Sequence, residues 1–182
     1  MAGQVIWIMG LSGAGKTTLA NELTARLRQG GLQPILLDGD ILRNLFKVSG
    51  NTIDTHNRES RIKLALKYAL MCELLSSQGF TVVIATISMF DEVYAWNREN
   101  IPNYFEVYLK VPMEELRDRD PKNIYRRYES GDLINVAGLD LLVDQPYGSH
   151  LTLDFEAQPF LWQSPACLAN HLMSELEKAN LV

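Results

Sequence analysis

Residues Gly10, Leu11, Ser12, Gly13, Ala14, Gly15, Lys16 and Thr17 spell a GxxxxGK[ST] string, followed by Thr18. The chemistry this spacing suits is the holding of a nucleoside triphosphate. Glycines at 10, 13 and 15 permit backbone torsions and close approaches that a Cβ would block. Successive N–H groups and a helix N-terminus then face an anion. Lys16 is placed to reach the β- and γ-phosphates, and the Thr17 hydroxyl to ligate Mg²⁺. Such a string also occurs by chance, so its flanks matter. The apolar run Val5-Ile6-Trp7-Ile8-Met9 enters it, and a helical pattern leaves from Lys16. A glycine-rich turn without a ligand would explain the glycines but neither Lys16 nor Thr17.

A second cluster, Asp38-Gly39-Asp40 with Arg43, follows the apolar stretch Pro34 to Leu37. Two acids and an arginine at a strand end suit three tasks: taking a proton from an attacking hydroxyl, organising metal-bound water and holding an anionic substrate. In open parallel sheets, ligands bind outside those C-terminal edges. Asp40 has a second reading, as the N-cap of a helix from Ile41. Capping alone leaves Asp38 and Arg43 unexplained.

The elements that must position these groups alternate along the chain. Strands are expected at 5–9, 34–38, 80–87, 104–111 and 150–155, where apolar and β-branched residues run together. Helices are expected from Lys16 to about Arg28, from Asn57 to Gln78, from Asp91 to Asn100, from Pro112 and from Pro165 to about Ala179. Alternation of this kind implies a five-stranded parallel sheet covered on both faces, a three-layer α/β/α fold of the P-loop NTPase type. Residues 119–149 are charged and weakly periodic, as expected of a mobile lid. No repeat or linker interrupts residues 1–182, so one domain is expected.

Composition narrows the partners. The 182 residues are 47% apolar, enough for a core without disulfides or metal. Cys72 and Cys167 lack CxxC spacing and read as free thiols, which suits a reducing cytoplasm. A formal charge of −5 argues against nucleic acid as partner. No apolar run reaches membrane-spanning length, and the start of the chain lacks the pattern of a signal peptide. The expectation is a soluble cytoplasmic protein.

Taken with Arg119-Asp120-Pro121-Lys122-Asn123-Ile124-Tyr125, these motifs resemble those of the adenylylsulfate (APS) kinase family. That family carries GLSGxGKT, LDGD-x-x-R, RDPKGLYKKA and a segment like I-K-N-F-T-G-I-D. The last is matched by Leu133-Ile134-Asn135-Val136-Ala137-Gly138-Leu139-Asp140. The resemblance implies that ATP phosphorylates a ribose hydroxyl of a nucleotide-linked acceptor, with Mg²⁺. It makes Asp38 the general base or hydroxyl-orienting acid, and Arg43 an anion ligand, with Asp40 on the same side. Lys122 would stabilise phosphate charge, and Arg119 would lie beside the ATP base. Arg58 and Arg61 would contact the acceptor, and Ile87 and Ser88 would line its pocket. Arg58, Arg61 and Lys63 equally suit a solvated helix face. A homodimer is implied by the resemblance alone.

Departures from the family concentrate on the acceptor side. Two phenylalanines hold the acceptor adenine in APS kinases. Here one position is Val136, and the other falls near Thr52, where Val48-Ser49-Gly50-Asn51-Thr52 holds no aromatic. Base–aromatic stacking contributes about 1–3 kcal/mol per base, so losing both faces is a large change. Phe90 or Tyr94 is a candidate replacement, although packing is the commoner fate of such residues. The pattern fits retained chemistry on a changed acceptor, as in the similar cytidine diphosphoramidate kinase of bacterial capsule biosynthesis. Two other classes compete: a regulatory module that binds ATP without transferring phosphate, and an NTPase switch. The first does not need Asp38 and Lys122. For the second, no clear DxxG element follows an apolar run.

Overall fold

A computed structural model describes residues 3–46 and 57–182. Five strands form one sheet: β1 (Gln4–Met9), β2 (Ile35–Asp38), β3 (Thr81–Thr86), β4 (Tyr104–Lys110) and β5 (Leu151–Asp154). All the pairings are parallel and the order is β2-β3-β1-β4-β5. The helices are α1 (Lys16–Gln29), α2 (Gly39–Leu45), α3 (Arg58–Ser77), α4 (Asp91–Asn100), α5 (Met113–Arg119), α6 (Ile124–Glu129) and α7 (Pro165–Lys178). A 3₁₀ turn at Pro159–Gln163 precedes α7.

The central strand shows why the sheet has two covered faces. Every residue of β1 is buried, and alternate side chains enter separate cores. Ile6 and Ile8 pack with Leu19, Leu23 and Leu27 of α1 and Leu168, Leu172 and Leu176 of α7. Val5, Trp7 and Met9 pack with Ala65, Tyr68, Ala69 and Cys72 of α3 and Val93 and Tyr94 of α4. The chain leaves β1 towards β2 and β3 on one side, then crosses to β4 and β5 on the other. A crevice therefore opens at the C-terminal end of β1, where the glycine-rich string begins.

Two expectations are corrected here. The short helix after β2 starts at Gly39, and its cap is Asp38, not Asp40: the Asp38 Oδ1 accepts from Asp40 N (2.8 Å) and Ile41 N (3.4 Å). Residues 119–149 hold a regular element, α6, although the sequence there is weakly periodic. The buried Asp120 carboxylate accepts the amides of Ile124 (2.8 Å), Tyr125 (3.3 Å) and Arg126 (3.1 Å) and so starts that helix. Tyr125, Val136, Ala137 and Leu141 from this segment are buried in the two cores.

Candidate active site

A cavity of about 730 Å³ lies at the C-terminal edge of the sheet. Its floor is the loop from Ser12 to Gly15 and the first turn of α1, including Lys16, Thr17 and Thr18. Gly15 is the N-cap of α1 at φ 94°, and no side chain caps the helix. A residue with a side-chain acceptor would occupy the first amides; glycine leaves them for a ligand. Gly10 and Leu11 lie outside the cavity wall. The Leu11 carbonyl accepts from Lys16 Nζ at 2.8 Å and so aims the side chain back over the loop. Burial, then the nearby Lys122 charge, pulls the Lys16 ammonium down to about 8, against opposing pulls from Asp40 and Asp38.

At the end of β2, Asp38 has two tasks. While Oδ1 caps α2, Oδ2 accepts from the Thr17 hydroxyl at 2.8 Å. The acid is therefore oriented by one helix and aimed at the first turn of another. Gly39 is required by space: a Cβ there would meet Thr86 Oγ1 at 3.0 Å and the Ala85 carbonyl at 3.1 Å. Asp40 binds two cations, Arg43 at 3.2 Å and Lys122. Burial pushes its carboxyl up, but the Lys122 hydrogen bond and the charges of Lys122 and Arg43 outweigh it and hold Asp40 below the usual carboxylate range.

Residues from the 119–149 segment roof the cavity. Arg119 Nε pairs with Glu115 at 2.7 Å, and its guanidinium lies 5.1 Å from the Phe155 ring centre and 5.7 Å from that of Trp162. Its Nη1 also donates to the Gly13 carbonyl (3.5 Å), and the Tyr125 hydroxyl donates to the Ser12 carbonyl (2.8 Å). Trp162 is the one aromatic residue lining the cavity among the described residues.

The opposite wall carries Arg43, Arg61, Ile87, Asn135 and Val136. Arg61 donates to the Asn135 carbonyl at 2.6 Å, and burial lowers its pKa. Asn135 sits at φ 60°, and both its amide (2.7 Å) and that of Val136 (2.6 Å) donate to Asp140. Two expected acceptor residues are not brought to this wall. Arg58 is held by Asp144 (2.6 Å) and Glu92 (3.5 Å), above the Phe90 ring. Ser88 is buried beside Thr86, with their hydroxyl oxygens 2.8 Å apart. Phe90 and Tyr94 are 2% and 3% exposed and belong to the core, so neither supplies a stacking face. The Val48–Thr52 stretch lies outside the described residues.

Residues 2–154 match the family described as adenylylsulphate kinase. The chain belongs to that family. It is an ATP-dependent kinase of the adenylylsulfate kinase type, and its P-loop fold is that of APS kinases. The cytidine diphosphoramidate kinase of Campylobacter jejuni is 39% identical over 142 residues, which cover 78% of this chain and 81% of that protein. The adenylyl-sulfate kinase of Pseudomonas aeruginosa is 34% identical over 176 residues, 95% and 85% of the two chains. The APS kinase of Mycobacterium tuberculosis, solved in complex with AMPPNP and APS, superimposes with a TM-score of 0.83. It is 27% identical, with 97% and 98% of the two chains covered.

Within this kinase, Trp162 and Asp120 are residues that the sequence reading missed. Trp162 lies beyond the family match, in a 3₁₀ turn with no motif around it. Asp120 stands inside the Arg-Asp-Pro-Lys motif, and its signal in the sequence is an Asp just ahead of the helix from Ile124, a residue type suited to accept helix-start amides. Thr17 Oγ1 and Asp38 Oδ2, both hard oxygens and 2.8 Å apart, fit a Mg²⁺ ion that arrives with a triphosphate. Among the described residues no cluster of three or more His, Cys, Asp or Glu side chains would hold a metal alone, and no helix is long and apolar enough to cross a membrane.

Proposed function

We propose that this kinase transfers the γ-phosphoryl group of ATP to a ribose hydroxyl of a nucleotide-linked small acceptor, adenylyl sulfate or a variant of it. The observation that carries this is the Asp38 carboxylate: it is fixed by its own helix and aimed at the Thr17 hydroxyl in the first turn of α1. Amides of residues 12–15 and the Lys16 ammonium bind the phosphates. Thr17, with Asp38 beside it, would hold Mg²⁺, which neutralises phosphate charge when bound. Asp38 orients the acceptor hydroxyl and takes its proton as the O–P bond forms and ADP leaves. Lys122 and Arg119 act from above, on the transferred group and on the ATP base. Arg43 and Arg61 pair with the anionic part of the acceptor. Closure of residues 119–149 over the cavity excludes water from the transfer.

A second reading of the acceptor has an observation of its own. The wall that holds Val136 has no aromatic face among the described residues, and Phe90 and Tyr94 are committed to the core. A pyrimidine has less surface to stack than adenine and loses less there. The 39% identity to a cytidine diphosphoramidate kinase points the same way. Turnover of ATP with adenylyl sulfate and with cytidine diphosphoramidate, followed by product mass, decides between them. Phosphorylation of neither compound, with ATP still bound, would instead support a non-catalytic module. The proposal extends to a homodimer, which sedimentation tests, and to the cytoplasm, where the free thiols Cys72 and Cys167 stay reduced.

A further inference from the structure

Lys122 and Asp40 are 82 residues apart in sequence and meet across the cavity, one from the loop before α6 and the other from the first turn of α2. Both line the cavity described above. Asp40 also holds Arg43, so a single carboxylate engages one cation from the roof and one from the acceptor wall. While Lys122 is bonded to Asp40, one of its three N–H donors and part of its charge are spent there rather than on the terminal phosphate of the donor. The other phosphate-facing cation of the floor is occupied too, since the Lys16 ammonium donates to the Leu11 carbonyl. The cations Lys16, Arg43 and Lys122 thus each have an acceptor already in place.

We propose that Asp40 is a positioning residue that keeps Lys122 from the donor's terminal phosphate until an acceptor fills the cavity, favouring transfer to the acceptor over transfer to water. The inference rests on the kinase reading above and deepens it. An acceptor hydroxyl that donates to Asp40, together with an acceptor anion that draws Arg43, takes over the partners of that carboxylate and frees Lys122. Without an acceptor, the competing reaction is hydrolysis. A water oxygen forms a bond to the γ-phosphorus, the bond to the ADP oxygen breaks, ADP leaves as an anion, and the proton of the water passes to solvent. Lys122 speeds that reaction as it speeds transfer, so holding it back suppresses the loss.

The effect is bounded by the exposure of the pair. The side chains are 54% and 50% exposed, and an ion pair at such a site carries at most a factor of about five. Phosphate release from ATP without acceptor, measured for the wild type, Asp40→Asn, Lys122→Met and the double variant, tests this. Asp40→Asn is expected to raise acceptor-free hydrolysis about threefold to fivefold. It should also lower the ratio of acceptor phosphorylation to hydrolysis, with Asp40→Glu restoring that ratio. In the Lys122→Met background the same change should do nothing. Unchanged or slower hydrolysis in Asp40→Asn, or an equal rise in both backgrounds, overturns the proposal. A wild type that phosphorylates neither test acceptor would sink the assigned acceptor class instead, and the hydrolysis comparison would still be readable.

Discussion

The half of the cavity that we assign to the triphosphate is built largely from backbone, whereas the half that we assign to the acceptor is built from side chains drawn from separate elements. The loop from Ser12 to Gly15 and the first turn of α1 make the floor assigned to the donor, and Lys16 and Thr17 lie in the same stretch. The acceptor wall needs Arg43 from α2, Arg61 from α3, Ile87 after β3 and Val136 from the segment before β5. A backbone cradle recognises phosphate, which every donor shares, and cannot drift without losing its glycines. A wall of side chains can change one position at a time and admit another base. The departures from the family, at Val136 above all, fall on the side where change is physically cheap.

This contrast can be broken or sharpened by substitution. The largest effect is expected from Lys16→Ala, which should lower turnover by at least about a thousandfold with every acceptor, because it removes charge from the donor floor. Residual activity within tenfold of wild type would detach the P-loop from the chemistry. Asp38→Asn comes next. The amide oxygen still caps α2, so the fold stays, but proton removal is lost. We expect kcat to fall by about a hundredfold to ten-thousandfold, with ATP affinity measured by calorimetry within about threefold. A loss of ATP binding equal to the loss of rate would reassign Asp38 to the donor side.

Val136→Phe sharpens the acceptor side. It returns an aromatic face to the wall and should lower KM for an adenine-bearing acceptor by about tenfold, leaving KM for ATP unchanged. Equal changes in both KM values would mean that the two halves are not separable. The smallest effect concerns protons. With Lys16 pulled down to about 8, its ammonium is complete well below that pH and is lost as pH rises through it. Triphosphate binding favours the charged form, so at pH 8 it should take up about half a proton per site. Calorimetry in buffers of different ionisation enthalpy reads that uptake directly. Proton release, or no exchange, would mean that the half-buried Lys16 is not held down in the free protein.

Legibility differed in the same way between the halves. The strands β1, β3 and β4 were readable because buried parallel strands are continuous apolar runs, and the cradle was readable because its function lies in one contiguous string. Asp38 was readable as an acid at a strand end, where it lines the cavity, but not as a helix cap, since whether a helix starts at 39 or 41 depends on how closely Gly39 approaches Thr86 and Ala85. The acceptor wall was partly misread. Arg58 opens a helix one turn from Arg61, yet one is held by Asp144 and the other lines the cavity. Spacing along a helix does not say which face looks into a cleft between distant elements.

Taken alone, the sequence determined the layered α/β architecture and the phosphate-binding loop, because these follow from local periodicity and from a motif whose atoms act within a few residues of one another; the kinase chemistry was implied by the resemblance of its ordered motifs to those of a family. Only the tertiary structure decided the strand order, the pairing of Lys122 with Asp40, the Arg119 stack on Phe155 and Trp162, and the withdrawal of Phe90, Tyr94, Ser88 and Arg58 from the acceptor wall. Those outcomes are contacts between residues far apart in the chain, chosen by competition among many possible partners for burial and charge, and no local pattern records which partner wins.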